Sequence, residues 1–434
     1  MFQKIGKLRQ VNNINYLFIF IFFILLMILL FGRSFVGIYI GNFRLGEIFV
    51  GLSLFFTFLP IFKFDYFKNK LPRYFIIFYY FLLCSFVLSS VVNKSSLIQI
   101  YTFKTSSYIW FVSYIFFGIY FFDHFKLSVF RKNILIFVLI YLFILSTINY
   151  PNFLIEFFKN YSDKWDFSKA SSIGLFFILT IICSQRLVDN KFYYYELFFL
   201  TSLFLPLFLF MSRGTFLAIL VFVTSKLLRA LKDLIKYPKK LSFIIVISFL
   251  LSSFSTLQVI TGDASEILKS NNQLSEYYKQ LSLQKDTKVD NFLSFYIRDS
   301  RLFTVDGNMN WRLQIWQDVL FDLIEENKLL IGYGYTNTIP AMEDPLRKGS
   351  DGLNENVHNF ILNIIARGGL IQLFIFVLLY GSLFFDFNKN LYRKSVINFL
   401  TPIFIISFFD ASMENAHFPM LVYFFLPMLL YDEK

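Results

Sequence analysis

Residues 354–385 read NENVHNFILNIIARGGLIQLFIFVLLYGSLFF, and this stretch decides the architecture. It opens on Asn354-Glu355-Asn356-Val357-His358-Asn359, passes Phe360-Ile361, and reaches Gly368-Gly369. Beyond the paired glycines the chain stays apolar for about the length that a helix needs to cross a hydrocarbon core. A polar loop therefore returns to a membrane here. The chain has only three histidines, and His358 falls at this water–lipid boundary.

The same apolar signature recurs outward from this point. The chain has 434 residues, of which 56% are hydrophobic, outside the usual range of soluble domains. Apolar runs predict spans near 15–32, 45–62, 73–92, 105–122, 132–149, 171–185, 192–211, 214–230, 241–260, 369–386, 396–410 and 417–431. The expected fold is an all-α polytopic membrane protein of about twelve transmembrane helices. One large, partly helical external loop joins helices 9 and 10. The divisions expected are 1–260 (helices 1–9), 261–368 (loop) and 369–434 (helices 10–12).

The net charge of +12 would suggest nucleic acid in a soluble protein. Here it follows the positive-inside rule. Lys63, Lys68, Lys70 and Arg73 form one basic cluster, and Lys126, Arg131 and Lys132 another. Lys226, Arg229, Lys232, Lys236, Lys239 and Lys240 crowd a third, and Lys389, Arg393 and Lys394 a fourth. An N-terminus in the cytoplasm and twelve spans put every cluster on the cytoplasmic side. No basic, aromatic-interleaved patch remains for nucleic acid.

The 63 phenylalanines fit a biased composition, rich also in Ile, Lys, Asn and Tyr, as well as any binding site. Cys84 and Cys183 both fall in apolar spans and suggest neither a disulfide framework nor a metal site. The first run, Tyr16 to Phe31, follows Lys4, Lys7 and Arg9 but lacks a small-residue cleavage site, so it reads as a retained helix.

Within the loop, Ser265 to Asp290 is polar and partly helical by pattern. From Trp311, Ile315, Val319 and Leu323 recur at spacing four, as do Trp316, Leu320 and Ile324, with Asp318, Asp322, Glu325 and Glu326 opposite. That predicts an amphipathic helix ended by the turn Gly332-Tyr333-Gly334. Asn356 is the expected N-cap of a short helix over 357–366.

Several residues are candidates for chemistry. Arg213, in the tight turn Met211-Ser212-Arg213-Gly214, is either a snorkelling anchor or an anion clamp, since a guanidinium fork matches phosphate geometry. Arg312 is either an ordinary surface arginine or a second cation at a helix start. Lone histidines are usually structural, yet His358 stands among polar neighbours and titrates near neutrality, so it suits proton abstraction from a hydroxyl. Asp410, Glu414, Asn415 and His417 cluster in the last external turn, as a solvated turn or a sugar-binding carboxylate pair.

The order of these motifs carries a resemblance. A Ser-Arg-Gly turn precedes Asn310-Trp311-Arg312 and Trp316, then Gly332-Tyr333-Gly334, His358-Asn359 and Gly368-Gly369-Leu370. This arrangement, over roughly 200–386, resembles the O-antigen ligase/polymerase family of bacterial envelope glycosyltransferases. The resemblance implies a GT-C-type fold in the inner membrane that handles glycans carried on undecaprenyl diphosphate. It implies no nucleotide sugar, no cofactor and no catalytic metal. Arg213 and Arg312 then look like the arginines that hold the donor diphosphate, and His358 like the base for the acceptor hydroxyl. Ser212, Trp311, Trp316, Tyr333, Asn356, Asn359, Asp410 and Glu414 are the expected substrate contacts. Many members carry an acidic residue before the paired glycines, whereas this chain has Arg367.

The implied activity moves a lipid-linked glycan to a glycan or glycolipid acceptor. A ligase uses a lipid A core as acceptor, and a polymerase uses a second lipid-linked repeat unit. A polysaccharide flippase also has about twelve spans, but it predicts ionisable residues at mid-membrane and little external mass. Here the unusual residues gather beside the external loop.

Overall fold

A backbone in hydrocarbon has no water to bond, so apolar runs of this length satisfy their N–H and C=O groups internally as helices. The structure is a computed structural model. It describes residues 2–124, 132–148, 150–162, 169–187, 190–234, 243, 246–248, 250–254, 295–348, 354–385 and 390–429. Among these, Ile19–Val36, Leu45–Phe62, Tyr74–Val92 and Phe360–Phe384 are long and apolar enough to cross a membrane. Shorter apolar helices occupy Ile134–Leu145, Ala170–Gln185, Glu196–Leu209, Ser395–Phe409 and His417–Leu429. Most of the expected 241–260 span lies outside the described residues, as do the polar segment 265–290 and much of three basic clusters. The expected 105–122 span is divided into two short helices joined by a 3-10 turn at Phe111–Ser113.

The chain forms two compact units. The first comprises residues 1–70, 110–187 and 415–434. It contains α1 (Phe2–Val36), a two-residue hairpin of β1 (Tyr39–Ile40) and β2 (Phe43–Arg44), α2 (Leu45–Thr57), α3 (Leu59–Phe62) and α4 (Phe64–Lys68). With α5 (Arg73–Val92), α6 (Ile100–Thr105) and α7 (Ser107–Trp110) assigned mainly to the second unit, the first continues through α8 (Tyr114–His124), α9 (Lys132–Ile148), α10 (Asn152–Tyr161) and α11 (Ala170–Leu187). Its last helix is His417–Phe425. That helix lies so close to α8 that a Cβ on Gly118 would collide with the carbonyl of Phe424. Helix α1 bends at Gly32, where φ is 47°, and the bend faces Ser172 and His417, themselves 3.0 Å apart.

The second unit comprises residues 71–109 and 188–414. Besides α5 and α6 it holds α12 (Asn190–Met211), α13 (Arg213–Leu234), a hairpin of β3 (Phe295–Arg298) and β4 (Arg301–Thr304), α14 (Gly307–Glu325), α15 (Phe360–Phe385) and α16 (Asn390–Phe409). The helix of the first unit at His417–Phe425 is α17. Helix α15 packs on α5 and α16, and α13 packs on α12 and α16. Buried polar groups in this unit find one another: the phenols of Tyr108 and Tyr335 both donate to Gln372 Oε1, at 2.7 and 2.9 Å, and Gln372 donates to Ser85 at 3.2 Å. Such pairing offsets the cost of polar side chains among apolar helices.

The central device of this unit is a break in α15. Gly369 has φ 72° and ψ −174°, so the carbonyls of Ala366 and Arg367 lose their helical partners. Residues 329–334 fill the gap. Tyr333 N–H donates to Ala366 (2.7 Å) and Gly334 N–H to Arg367 (3.0 Å), while Leu370 and Ile371 donate to Leu329 and Leu330. A Cβ at Gly369 would collide with the carbonyl of Leu330, and one at Gly332 would meet Arg367 at 2.6 Å. Glycine is required at both points by space and by positive φ. Ser89 of α5 and Asn93, just past its end, tie the same segment down by donating to the carbonyls of Ile331 and Gly332, and Ser89 also lies against that of Arg367.

Three expectations change. The helix expected at 357–366 begins instead at Phe360: Asn359, not Asn356, caps it by accepting from Leu362 N–H at 3.1 Å, and it runs on through the glycine break. Helix α14 starts at Gly307, four residues before Trp311, because Asp306 accepts from Met309 N–H at 2.8 Å. It ends before the Gly332 turn, in a Schellman motif: Asn327 adopts φ 56°, Lys328 N–H reaches Leu323, and Asn327 N–H reaches Ile324. The hairpins are additions. The turn of β3–β4 is Asp299-Ser300, both at positive φ, without the glycine that usually advertises such a turn.

Replacing Gly369 by Ala should lower stability by roughly 2 kcal/mol or more, since it adds a left-handed strain to a steric clash. Thermal unfolding in detergent micelles measures this. A Gly369→Ala protein as stable as the parent would show that the break is not built as described.

Candidate functional site

Helix α14 is where the candidate residues meet. Its apolar face, Leu313, Ile315, Trp316, Val319 and Leu323, is buried with Ile339, Met342, Val357, Ile365 and Ala366. That packing sets the helix against the start of α15 and leaves its first turns beside the ends of α13 and α16. Asp318 on the polar side pairs with Arg301 (2.6 Å) and Arg347 (2.7 Å), which fastens the hairpin and the following loop to the same helix.

Arg213 begins α13, after a turn in which Ser212 accepts from Thr215 N–H at 3.4 Å. The Ser212 side chain thus serves as a helix cap. Gly214 allows α13 to approach α16 closely, because a Cβ there would stand 2.6 Å from that of Phe409. Arg213 Nη1 lies 2.8 Å from Asp306 Oδ2, the carboxylate that caps α14. Two turns along α14, Arg312 Nη1 donates to the carbonyl of Phe409, and its Nε is buried without a hydrogen-bond partner. Burial lowers the Arg312 pKa, while Asp410 and Asp306 support the charged form. Arg213 is thus paired with Asp306 at the first turn of α14, and Arg312 is fixed to the end of α16 two turns further on, near the junction of α13, α14 and α16.

His358 reaches the same helix from the other side. Its ring packs against Trp311, centroids 5.2 Å apart, and Trp311 is the neighbour of Arg312. Its Nε2 lies 3.1 Å from Asn354 Oδ1. The residue has φ 55°, an uncommon conformation for a side-chain-bearing residue and a mark of backbone strain. Its neighbours hold it there: Trp316 donates to the Val357 carbonyl at 2.9 Å, and Asn359 caps α15. Asn356 exchanges hydrogen bonds with Asn354, at 3.1 and 3.3 Å. Trp311 itself donates to Leu346 at 3.3 Å.

The other expected contacts are distributed differently. Trp316 is buried, packed on Phe408, with its indole N–H committed to Val357, and Asn359 is 1% exposed. Both position the His358 segment from within the core. Tyr333 stands at the far end of α14, where burial and the carboxylates of Glu326 and Asp322 raise its pKa. Asp410 lies near Arg312 in charge terms, and its Oδ1 accepts from the next backbone N–H. Glu414 has its Oε1 shut off from solvent without a hydrogen bond, and it feels Arg367. Arg367, buried, donates to the carbonyls of Gly334 and Asn337 and so clasps the strand that fills the α15 break.

Asp306 and Asn354 were not among the expected site residues. Asp306 has a readable signal, an Asp just before an apolar-periodic run. An apolar cavity of about 760 Å³ opens from the first turn of α15, lined by Phe360, Ile361, Ile364, Phe376, Tyr74 and Phe78.

Burial pushes the Glu414 carboxyl from its ordinary 4.5 up to about 8, against the pull of Arg367 and with the help of Asp410. A raised carboxyl favours the folded state fully below about 4.5, and that contribution is lost as pH rises through about 8. The thermal midpoint of the parent should fall across this window relative to that of Glu414→Gln. Parallel pH profiles of the two proteins would contradict the assignment.

Compared with known proteins, no curated protein matches the chain. Residues 197–377 match the family model described as O-Antigen ligase. Arg213, Arg312 and His358 all lie inside the matched segment, while Asp410 and Glu414 lie beyond it. The match supports the O-antigen ligase/polymerase family for this segment, which spans less than half of the chain.

Proposed function

We propose that this protein transfers a glycan from undecaprenyl diphosphate to a lipid A-core acceptor, with inversion at the anomeric carbon, at the periplasmic face of the inner membrane. The observation that carries the reading is the placing of Arg213, Arg312 and His358 around the first turns of one helix, α14: Arg213 on its capping Asp306, Arg312 within it, and His358 against Trp311, all within the segment that matches the O-antigen ligase model.

The chemistry follows from the residue types. The acceptor hydroxyl oxygen attacks the anomeric carbon and its proton passes to the imidazole of His358. The bond from that carbon to the diphosphate oxygen breaks, and its electron pair leaves on undecaprenyl diphosphate. Negative charge grows on the leaving group, and two guanidinium groups with fixed charge stabilise it. Such a site needs no metal to neutralise the diphosphate. The apolar cavity that runs along α15 suits the polyprenyl tail. Glycan transfer to a second lipid-linked unit would use the same groups and differ only in the acceptor.

His358→Ala should abolish glycan transfer while the protein still inserts in the membrane; normal surface polysaccharide in that strain would refute the base assignment. Arg213→Lys should reduce transfer about tenfold despite retaining charge, because an ammonium cannot make a bidentate phosphate contact. A deletion strain separates the two acceptors on a polysaccharide gel. Loss of all attached glycan, long and short, fits a ligase, whereas survival of a single attached repeat would identify a polymerase.

A further inference from the structure

We propose that Asp306 is a positioning residue for donor binding, which orders the Arg213 guanidinium toward the diphosphate; this rests on the glycan-transfer reading above. Three observations converge on one carboxylate. Oδ1 accepts the N–H of Met309 and caps α14. Oδ2 lies 2.8 Å from Arg213 Nη1. Its charge, after that of Asp410, also supports the cationic form of Arg312 two turns further on.

A cap does not require a charge. Asparagine caps as well as aspartate does. The carboxylate therefore does something here that the cap does not need. The ion pair is partly exposed, with side chains 37% and 20% accessible, so it contributes little to stability. Its effect is on geometry. Arg213 is a long side chain at the start of a helix, and a fixed partner on one edge of its planar fork orients the fork before any ligand arrives. The same carboxylate links that fork to α14, the helix that carries Arg312. Two cations from distant parts of the chain thus keep one spacing, as recognition of a diphosphate requires.

The substitution Asp306→Asn keeps the cap and removes the charge. The full-length protein in detergent micelles is assayed for binding of undecaprenyl diphosphate, for the KM of donor and of acceptor, and for its thermal midpoint. The variant should bind undecaprenyl diphosphate about tenfold more weakly, the lower end of what loss of an outer supporting partner costs. The KM of donor should rise while that of acceptor and the thermal midpoint stay unchanged. In an Arg213→Ala background the same substitution should have no further effect, since Asp306 acts through Arg213. Unchanged affinity overturns the proposal, as does an equal loss in both backgrounds. Tighter binding also overturns it, for then Asp306 competes with phosphate for the arginine. If the parent itself fails to bind undecaprenyl diphosphate, the transfer reading falls and this one with it; a binding parent with an indifferent variant removes this one alone.

Discussion

A single carboxylate on Asp306 ends one structural problem and begins another. The first N–H groups of any helix lack partners, and Asp306 supplies one to α14. Its second oxygen pairs with Arg213 at the start of α13. Helix α14 is thereby pinned to the start of α13, and its register decides what Trp311, Arg312 and Trp316 can reach. Arg312 meets the last carbonyl of α16, Trp311 meets His358, and Trp316 holds the residue before it. Were the first turn of α14 elsewhere, none of these contacts would form together.

The second constraint is the interruption of α15. A continuous helix from Phe360 to Phe385 would take the partners from the N–H groups of Tyr333 and Gly334 and from the carbonyls of Leu329 and Leu330. The glycine break exposes carbonyls and N–H groups that this strand satisfies, so the loop returns to the body of the unit at a defined point. Arg367 completes the arrangement by donating to the carbonyls of Gly334 and Asn337. An acidic residue at that position has no N–H groups to offer those carbonyls. The departure from the family pattern before the paired glycines therefore has a local structural use in this chain.

Much of this was legible from residue order. Apolar length announced the helices, because hydrocarbon leaves a backbone few alternatives. The spacing of Ile315, Val319 and Leu323 announced α14, and these bury together with Trp316; Leu320 and Ile324, of the same pattern, do not, and Leu313 and Gln314 are buried in addition. Arg213 and His358 stood out as a guanidinium and an imidazole at expected span boundaries, and Arg312 as a cation at the expected start of the amphipathic helix. What stayed hidden depends on contacts distant in sequence. The start of α15 moved from Asn356 to Asn359 because the strained His358 precedes it, and neighbouring asparagines cap equally well by composition. The β3–β4 turn was hidden because Asp299-Ser300 lacks glycine. Trp316 looked like a ligand contact, yet its indole is held in the core, and no spacing rule separates those two fates.

The account stands on the nearness of the first turns of α13 and α14. Spin labels on Leu217→Cys and Asn308→Cys, both exposed positions, in a background with Cys84 and Cys183 replaced, report that separation directly. Strong dipolar broadening in detergent-solubilised protein is the expected result. A spectrum free of broadening, as for labels tens of ångströms apart, would contradict the pairing of Arg213 with Asp306 that holds the two helix starts together.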